Sequence, residues 1–183
     1  MKIQKYKFKI IDSTNKKALD FIKKKNYKSG IVIAEYQKKG KGQYGKKWIS
    51  YKGNIFMSIF FSLEKIDLSL KKLTKINCLL IKKTISKYIH KKISIKYPND
   101  LLIDKKKFCG ILQETIIKSN KKFIVVGIGI NLIKSPNISE YQTTYLSKYA
   151  YRKIKKDKII GDLINIYKEF LNSFIYSNKL KRS

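Results

Sequence analysis

The chain has 183 residues, 43% hydrophobic and 13% aromatic, and a formal charge of +31 from 43 basic and 12 acidic residues. That size and apolar share suit a single globular domain and argue against disorder, and no apolar run reaches the ~20 residues of a membrane span. Only Arg152 and Arg182 among the 43 cations are arginine, whereas base and phosphate recognition favours arginine's planar fork.

The lysines are spread along the whole chain as doublets and triplets. Their abundance, with that of Ile, Asn and Tyr, follows AT-rich codons, so they read as solvated filler and no DNA partner is expected. Cys78 and Cys109 lie in apolar contexts without metal-ligand spacing or a disulfide framework. The single histidine, His90, leaves too few imidazoles for a histidine metal site or a Ser-His-Asp triad. The amino terminus alternates charged and apolar residues and has no continuous signal core, so a cytoplasmic location is expected.

Residues 6–11 alternate like a half-buried strand. Asp12-Ser13-Thr14-Asn15 then offers N-cap residues to a short amphipathic helix carrying Ala18, Leu19, Phe21 and Ile22 to about Lys25. Residues 31–37 (IVIAEYQ) read as a buried strand, and 54–62 (NIFMSIFFS) as the next. Apolar spacing over 68–90 predicts a long helix with His90 as a solvated residue at its end. Strands follow at 93–97, 101–103, 108–117 and 122–130, the last two joined by a turn at Ser119-Asn120. After a loop region over 131–156, Ile160, Leu163, Ile164, Tyr167, Phe170, Leu171, Phe174 and Ile175 trace one face of a final helix. The expected fold is α+β: one mixed, mostly antiparallel sheet with helices packed on one face.

Three segments carry candidate chemistry. Residues 40–48 (GKGQYGKKW) put three glycines and three lysines on one loop beside Trp48. Glycines let an anion approach backbone N–H groups, and an indole offers a flat surface for a base; a Gly/Lys-rich surface hairpin is the plainer reading. Residues 96–100 (KYPND) present an amide, Asn99, and a carboxylate, Asp100, at a proline turn, which is also ordinary loop chemistry. Lys107 then leads into an apolar strand that contains Gly110, where it can be partly desolvated and aimed at an anion. Gly127 and Gly129 share one face of the strand ending at Asn131. That face either floors a slot for a flat ligand or permits tight helix packing.

In this order, DSTN (12–15), AEYQ (34–37), GKGQYGKKW (40–48), KYPNDLLIDKKKFCGILQE (96–114) and GIGIN (127–131) resemble the catalytic domain of the bacterial biotin protein ligases. The resemblance implies activation of biotin by ATP to biotinyl-5′-AMP, then transfer to a lysine of a biotin carboxyl carrier protein of acetyl-CoA carboxylase. It implies that Ser13, Thr14 and Gln37 hold the ureido head, and that the loop of Gly40, Lys41, Gly42 and Gln43 closes over the ligand. Lys107 and Lys41 would be catalytic, with Gly110 and Ile111 lining the biotin slot. Trp48, Asn99, Asp100 and Asn131 would serve the adenylate together with Lys41 and Lys107, and Asp100 is the candidate magnesium ligand. The chain departs from the family's Gly-Arg-Gly-Arg-x-Gly-Arg loop at Lys41, Gln43 and Lys46, and from its Lys-Trp-Pro-Asn-Asp at Tyr97. On this reading residues 1–183 form the catalytic domain alone, without a helix-turn-helix or a C-terminal β-barrel. No membrane partner is expected, and a homodimer is compatible. A lipoate or octanoate ligase of the same fold and a basic nucleic-acid-binding protein are the alternatives.

Overall fold

The computed structural model describes residues 3–25 and 27–180, the last six by their backbone only. Ile175, expected on the final apolar face, therefore lies outside the described side chains. The chain runs β1 (Lys5–Ile11), α1 (Thr14–Lys25), β2 (Ser29–Gln37), β3 (Ile55–Ser62), α2 (Leu70–Ile85), β4 (Ile93–Lys96), β5 (Asp100–Ile103), β6 (Lys106–Lys118), β7 (Lys121–Ile130) and α3 (Lys156–Leu180). Seven strands form one sheet in the order β1-β2-β3-β7-β6-β5-β4. Every pairing is antiparallel except β1 with β2. Parallel neighbours need a crossover, and α1 supplies it.

That crossover decides where the helices lie. Alternate residues of the central strands feed two separate cores. Ile31, Ile33, Met57, Ile59, Ile124 and Val126 join the large core with Leu73 and Ile81 of α2 and Leu163 and Tyr167 of α3. Val32, Phe60 and Val125 point the other way, onto Ala18, Phe21 and Ile22 of α1. The expectation of helices on one face holds for α2 and α3, while α1 lies on the opposite face. Strands covered on both sides lose their apolar/polar alternation, which is why 31–37 reads as a continuous apolar run.

The periodicity that predicted a helix to His90 outlasts the helix. α2 ends at Ile85 with Ser86 as its cap, and Lys87 and Tyr88 turn back through N–H groups donated to Thr84 and Ile85 carbonyls. Ile89 then bridges Ala150, and the His90 N–H donates to the Tyr149 carbonyl. His90 is exposed, as expected, but belongs to a strand-like bridge and not to a helix cap. The 119–120 turn is as expected: Ser119 and Asn120 both have positive φ (47° and 56°), the backbone of a two-residue hairpin. Within the expected loop, 146–149 forms a single 3₁₀ turn. Asn54, fully buried, pins the loop's start by accepting from the N–H groups of Leu132, Ile133 and Lys134 at 3.0, 3.1 and 3.3 Å.

Candidate active site

Beyond the amino end of α1, the α1 side of the sheet is built from small residues and floors an open cleft. At one end lies a buried polar network. The Thr14 N–H and hydroxyl both donate to Gln37 Oε1, at 2.8 and 3.1 Å. With its oxygen occupied, Gln37 turns its NH₂ group toward Gly40. Ser58 Oγ sits 2.7 Å from Thr14 Oγ1 and 2.6 Å from Asn15 Oδ1, with one proton to share between them. Asn15 Nδ2 donates to Glu114 Oε2 at 2.6 Å, tying α1 to β6. Ser13, Thr14, Asn15 and Ser58 are all nearly inaccessible to solvent. A buried polar cluster of this kind rewards a ligand that brings matching donors and acceptors.

At the other end is Lys107, which strict alternation would point away from the cleft. Cys109 and Ile111 face the large core, so Lys107, also odd-numbered, would follow them. A bulge prevents this: Leu101 pairs with Cys109 but Leu102 pairs with Lys107, so Phe108 is one residue too many on β6. Phe108 drops into the large core, and Lys107 emerges on the cleft side with Gly110. A bulge re-aims a side chain in this way. Lys107 Nζ lies 2.8 Å from Asp100 Oδ1, with the two side chains 16% and 20% exposed. The contact is close but misaligned as a hydrogen bond, so it is chiefly ionic. The same ammonium lies 5.5 Å from the Trp48 ring and 5.1 Å from the Tyr141 ring, distances at which aromatic faces attract a cation.

The 40–48 loop is a short hairpin, the plainer of the two sequence readings, and it also walls the cleft. Lys41 bridges Lys47, Gly42 N–H donates to the Lys46 carbonyl at 2.7 Å, and Trp48 N–H donates to the Gly40 carbonyl at 3.0 Å. Tyr44 (φ 54°) and Gly45 (φ 75°) turn its exposed tip. A Cβ at Gly40 would stand 2.5 Å from the Trp48 carbonyl oxygen, so only glycine closes the hairpin neck. Past the hairpin a second open cleft is lined by Lys46, Lys47, Lys96, Lys105 and Lys107 against one carboxylate, Asp100. The clefts share Gly42, Gln43, Trp48, Asn99 and Lys107.

Of the residues expected at the site, Ser13, Thr14, Gln37, Lys41, Gly42, Gln43, Trp48, Asn99, Lys107, Gly110 and Ile111 line the first cleft. Ile111 contributes backbone, since its side chain lies in the opposite core and its carbonyl accepts from Asn99 Nδ2 at 2.8 Å. Gly40 lies behind the wall and Asp100 opens on the second cleft. Asn131 reaches neither. It is 2% exposed, and its Nδ2 donates to the Thr144 carbonyl at 3.2 Å, so it holds the 131–144 loop in place. Sequence reasoning missed Asn15, Ser58, Glu114 and Tyr141. The signal for Ser58 was present, because a lone hydroxyl inside IFMSIFF has to be satisfied in a buried strand.

Residues 7–131, from β1 through the last residue of the GIGIN segment, match the biotin/lipoate A/B protein ligase family. The chain belongs to that family. The bifunctional ligase/repressor BirA of Escherichia coli is 37% identical over 126 residues, 67% of this chain and 39% of that protein. BirA of Bacillus subtilis is 29% identical over 164 residues, 85% of this chain and 50% of its own length. The chain thus spans half or less of these relatives. The biotin protein ligase of Aquifex aeolicus, solved with biotin and ATP, superposes with a TM-score of 0.78 at 25% identity, covering 93% of this chain and 71% of that one. The α+β architecture described above is the fold of that ligase.

Proposed function

We propose that this member of the biotin/lipoate ligase family is a biotin–protein ligase. It joins biotin to ATP as biotinyl-5′-AMP with release of pyrophosphate, then passes the biotinyl group to a lysine of a biotin carboxyl carrier protein. The observation that carries the reading is the bulge-aimed Lys107 ammonium, held where a polar recess and a lysine-lined cleft meet.

Biotin's carboxylate and the α-phosphate are both anions, so their approach needs fixed positive charge in a site shielded from water. Lys107 supplies it at the junction, and Lys41 adds charge from the hairpin. A carboxylate oxygen bonds to the α-phosphorus as the bond to pyrophosphate breaks. The carrier's amine then bonds to the acyl carbon and AMP departs. On this reading Trp48 and Asn99, which line both clefts, receive the nucleotide. The recess also favours biotin over lipoate. Thr14 and Gln37 satisfy each other, but Ser58 has one proton for two acceptors, Thr14 Oγ1 and Asn15 Oδ1, so one acceptor is left for a ureido N–H, which a dithiolane does not have.

Magnesium would arrive with the nucleotide. Among the described residues no cluster of three or more His, Cys, Asp or Glu could hold a metal. Asp100 is the one carboxylate lining the clefts, and Mg²⁺ accepts a single carboxylate alongside phosphates and waters. The test is direct. Protein, ATP, Mg²⁺ and a carrier domain are incubated with biotin or with lipoate, and the acceptor is weighed by mass spectrometry. Biotin addition is expected; lipoate addition alone, or no addition, would reject the assignment.

A further inference from the structure

We infer that Gly110, Gly127 and Gly129 are positioning residues that act as seats for two of the protein's own side chains, Trp48 on the nucleotide side and Asn15 on the biotin side. None of the three has positive φ, so the backbone does not require glycine there. The space above them does. A Cβ at Gly129 would stand 2.5 Å from Trp48 Cε2 and 2.7 Å from Cζ2. A Cβ at Gly110 would stand 2.6 Å from Cζ3 of the same ring. Gly110 and Gly129 are direct partners across β6 and β7. Cε2 and Cζ3 are opposite corners of the six-membered ring, so the indole lies flat across the glycine pair.

The slot expected for a flat ligand is therefore filled by Trp48 itself. With one indole face on the sheet, the other is the platform on which a purine can stack, and Lys107 stands beside it. Trp48 Nε1 is buried with no protein partner, as suits a ring held by shape and not by a hydrogen bond. Gly127 serves a different client. A Cβ there would stand 2.2 Å from Asn15 Oδ1, the atom that faces Ser58. Two glycines on one strand face thus set the two half-sites independently.

The inference rests on the biotin and ATP reading above, and the experiment separates the two. Trp48 is the chain's single tryptophan, so intrinsic fluorescence without any ligand reports on its seat alone. Gly129→Ala is expected to shift that emission, and Gly127→Ala to leave it unchanged. In steady-state pyrophosphate release, Gly129→Ala should raise KM for ATP about tenfold or more, the scale of one methyl forced into a packed site, with KM for biotin within about twofold. Gly127→Ala should do the reverse. The Gly129→Ala effect should vanish in a Trp48→Ala background, where the added methyl meets nothing, and the Gly127→Ala effect in an Asn15→Ala background. Equal effects with and without the partner side chain, or unchanged emission in Gly129→Ala, would overturn the seat assignment. A wild-type protein that releases no pyrophosphate would overturn the function instead, leaving the fluorescence result to decide the seat.

Discussion

Lys107→Met keeps the length of the side chain and removes its charge. Losing one preorganised charge-stabilising group typically costs about 3–4 kcal/mol of transition-state stabilisation, or about 100- to 1,000-fold in rate. Stability should fall as well, because Asp100 Oδ1 has only the Lys107 ammonium beside it. Stripping the partner from a fully buried ion costs about 3–5 kcal/mol. With Asp100 still 20% exposed, about 1–2 kcal/mol is the appropriate scale. Adding Asp100→Asn removes the stranded charge, so the double variant should regain stability in urea unfolding while pyrophosphate release stays low. Turnover within about threefold of wild type in Lys107→Met would refute the catalytic role. Activity that returned in step with stability would show the lysine to be structural.

Other variants probe the supports of the site. Ser58→Ala takes away the hydroxyl between Thr14 and Asn15 and should weaken biotin binding about tenfold by calorimetry, with about 1–2 kcal/mol lost in unfolding. Asn54→Ala leaves three consecutive loop N–H groups without their acceptor and should lower stability by about 2–4 kcal/mol, read from the urea midpoint. Burial pushes the Cys78 thiol from its ordinary 9.0 up to about 11, and Cys109 well upward too. The folded chain then keeps protons that the unfolded chain releases, so this contribution is intact below about pH 9 and is lost as pH rises toward about 11. Lysine titration is common to both proteins, so the stability advantage of wild type over a Cys78→Ala/Cys109→Ala variant should narrow across that interval. An advantage that stays constant or widens with pH would contradict the assignment.

Much of this molecule is legible in its sequence because its caps, apolar runs and turns are set locally. The DSTN cap, the 31–37 run and the Ser119-Asn120 turn sit where their local chemistry puts them. What the sequence hides depends on partners distant in the chain. Lys107 is recognisable as a strand-edge lysine, but its direction comes from the extra residue that β5 forces on β6. The end of α2 is set by Ala150 and Tyr149, some sixty residues on, which draw Ile89 and His90 into a bridge. Asn131 looks like a ligand contact at a strand end, yet Asn54 and Thr144 enclose it. Asn15 was legible as a capping residue, but its contacts with Ser58 and Glu114 appear only when β3 and β6 are assembled on either side of β7.

The two covers of the sheet have a consequence for how such a protein changes. Helices α2 and α3 seal one side with interlocked aliphatic bulk, where nearly any exchange of volume disturbs packing. The opposite side near the clefts is carpeted with Gly110, Gly127, Gly129 and Ser58, whose replacements alter the contour a substrate meets while leaving the sealed side alone. Drift in substrate preference and loss of foldability are thereby assigned to different sides of the same strands. Phe108 is the exception that links them: the residue that turns Lys107 toward the chemistry is itself wedged into the interior, so selection cannot relax one without the other.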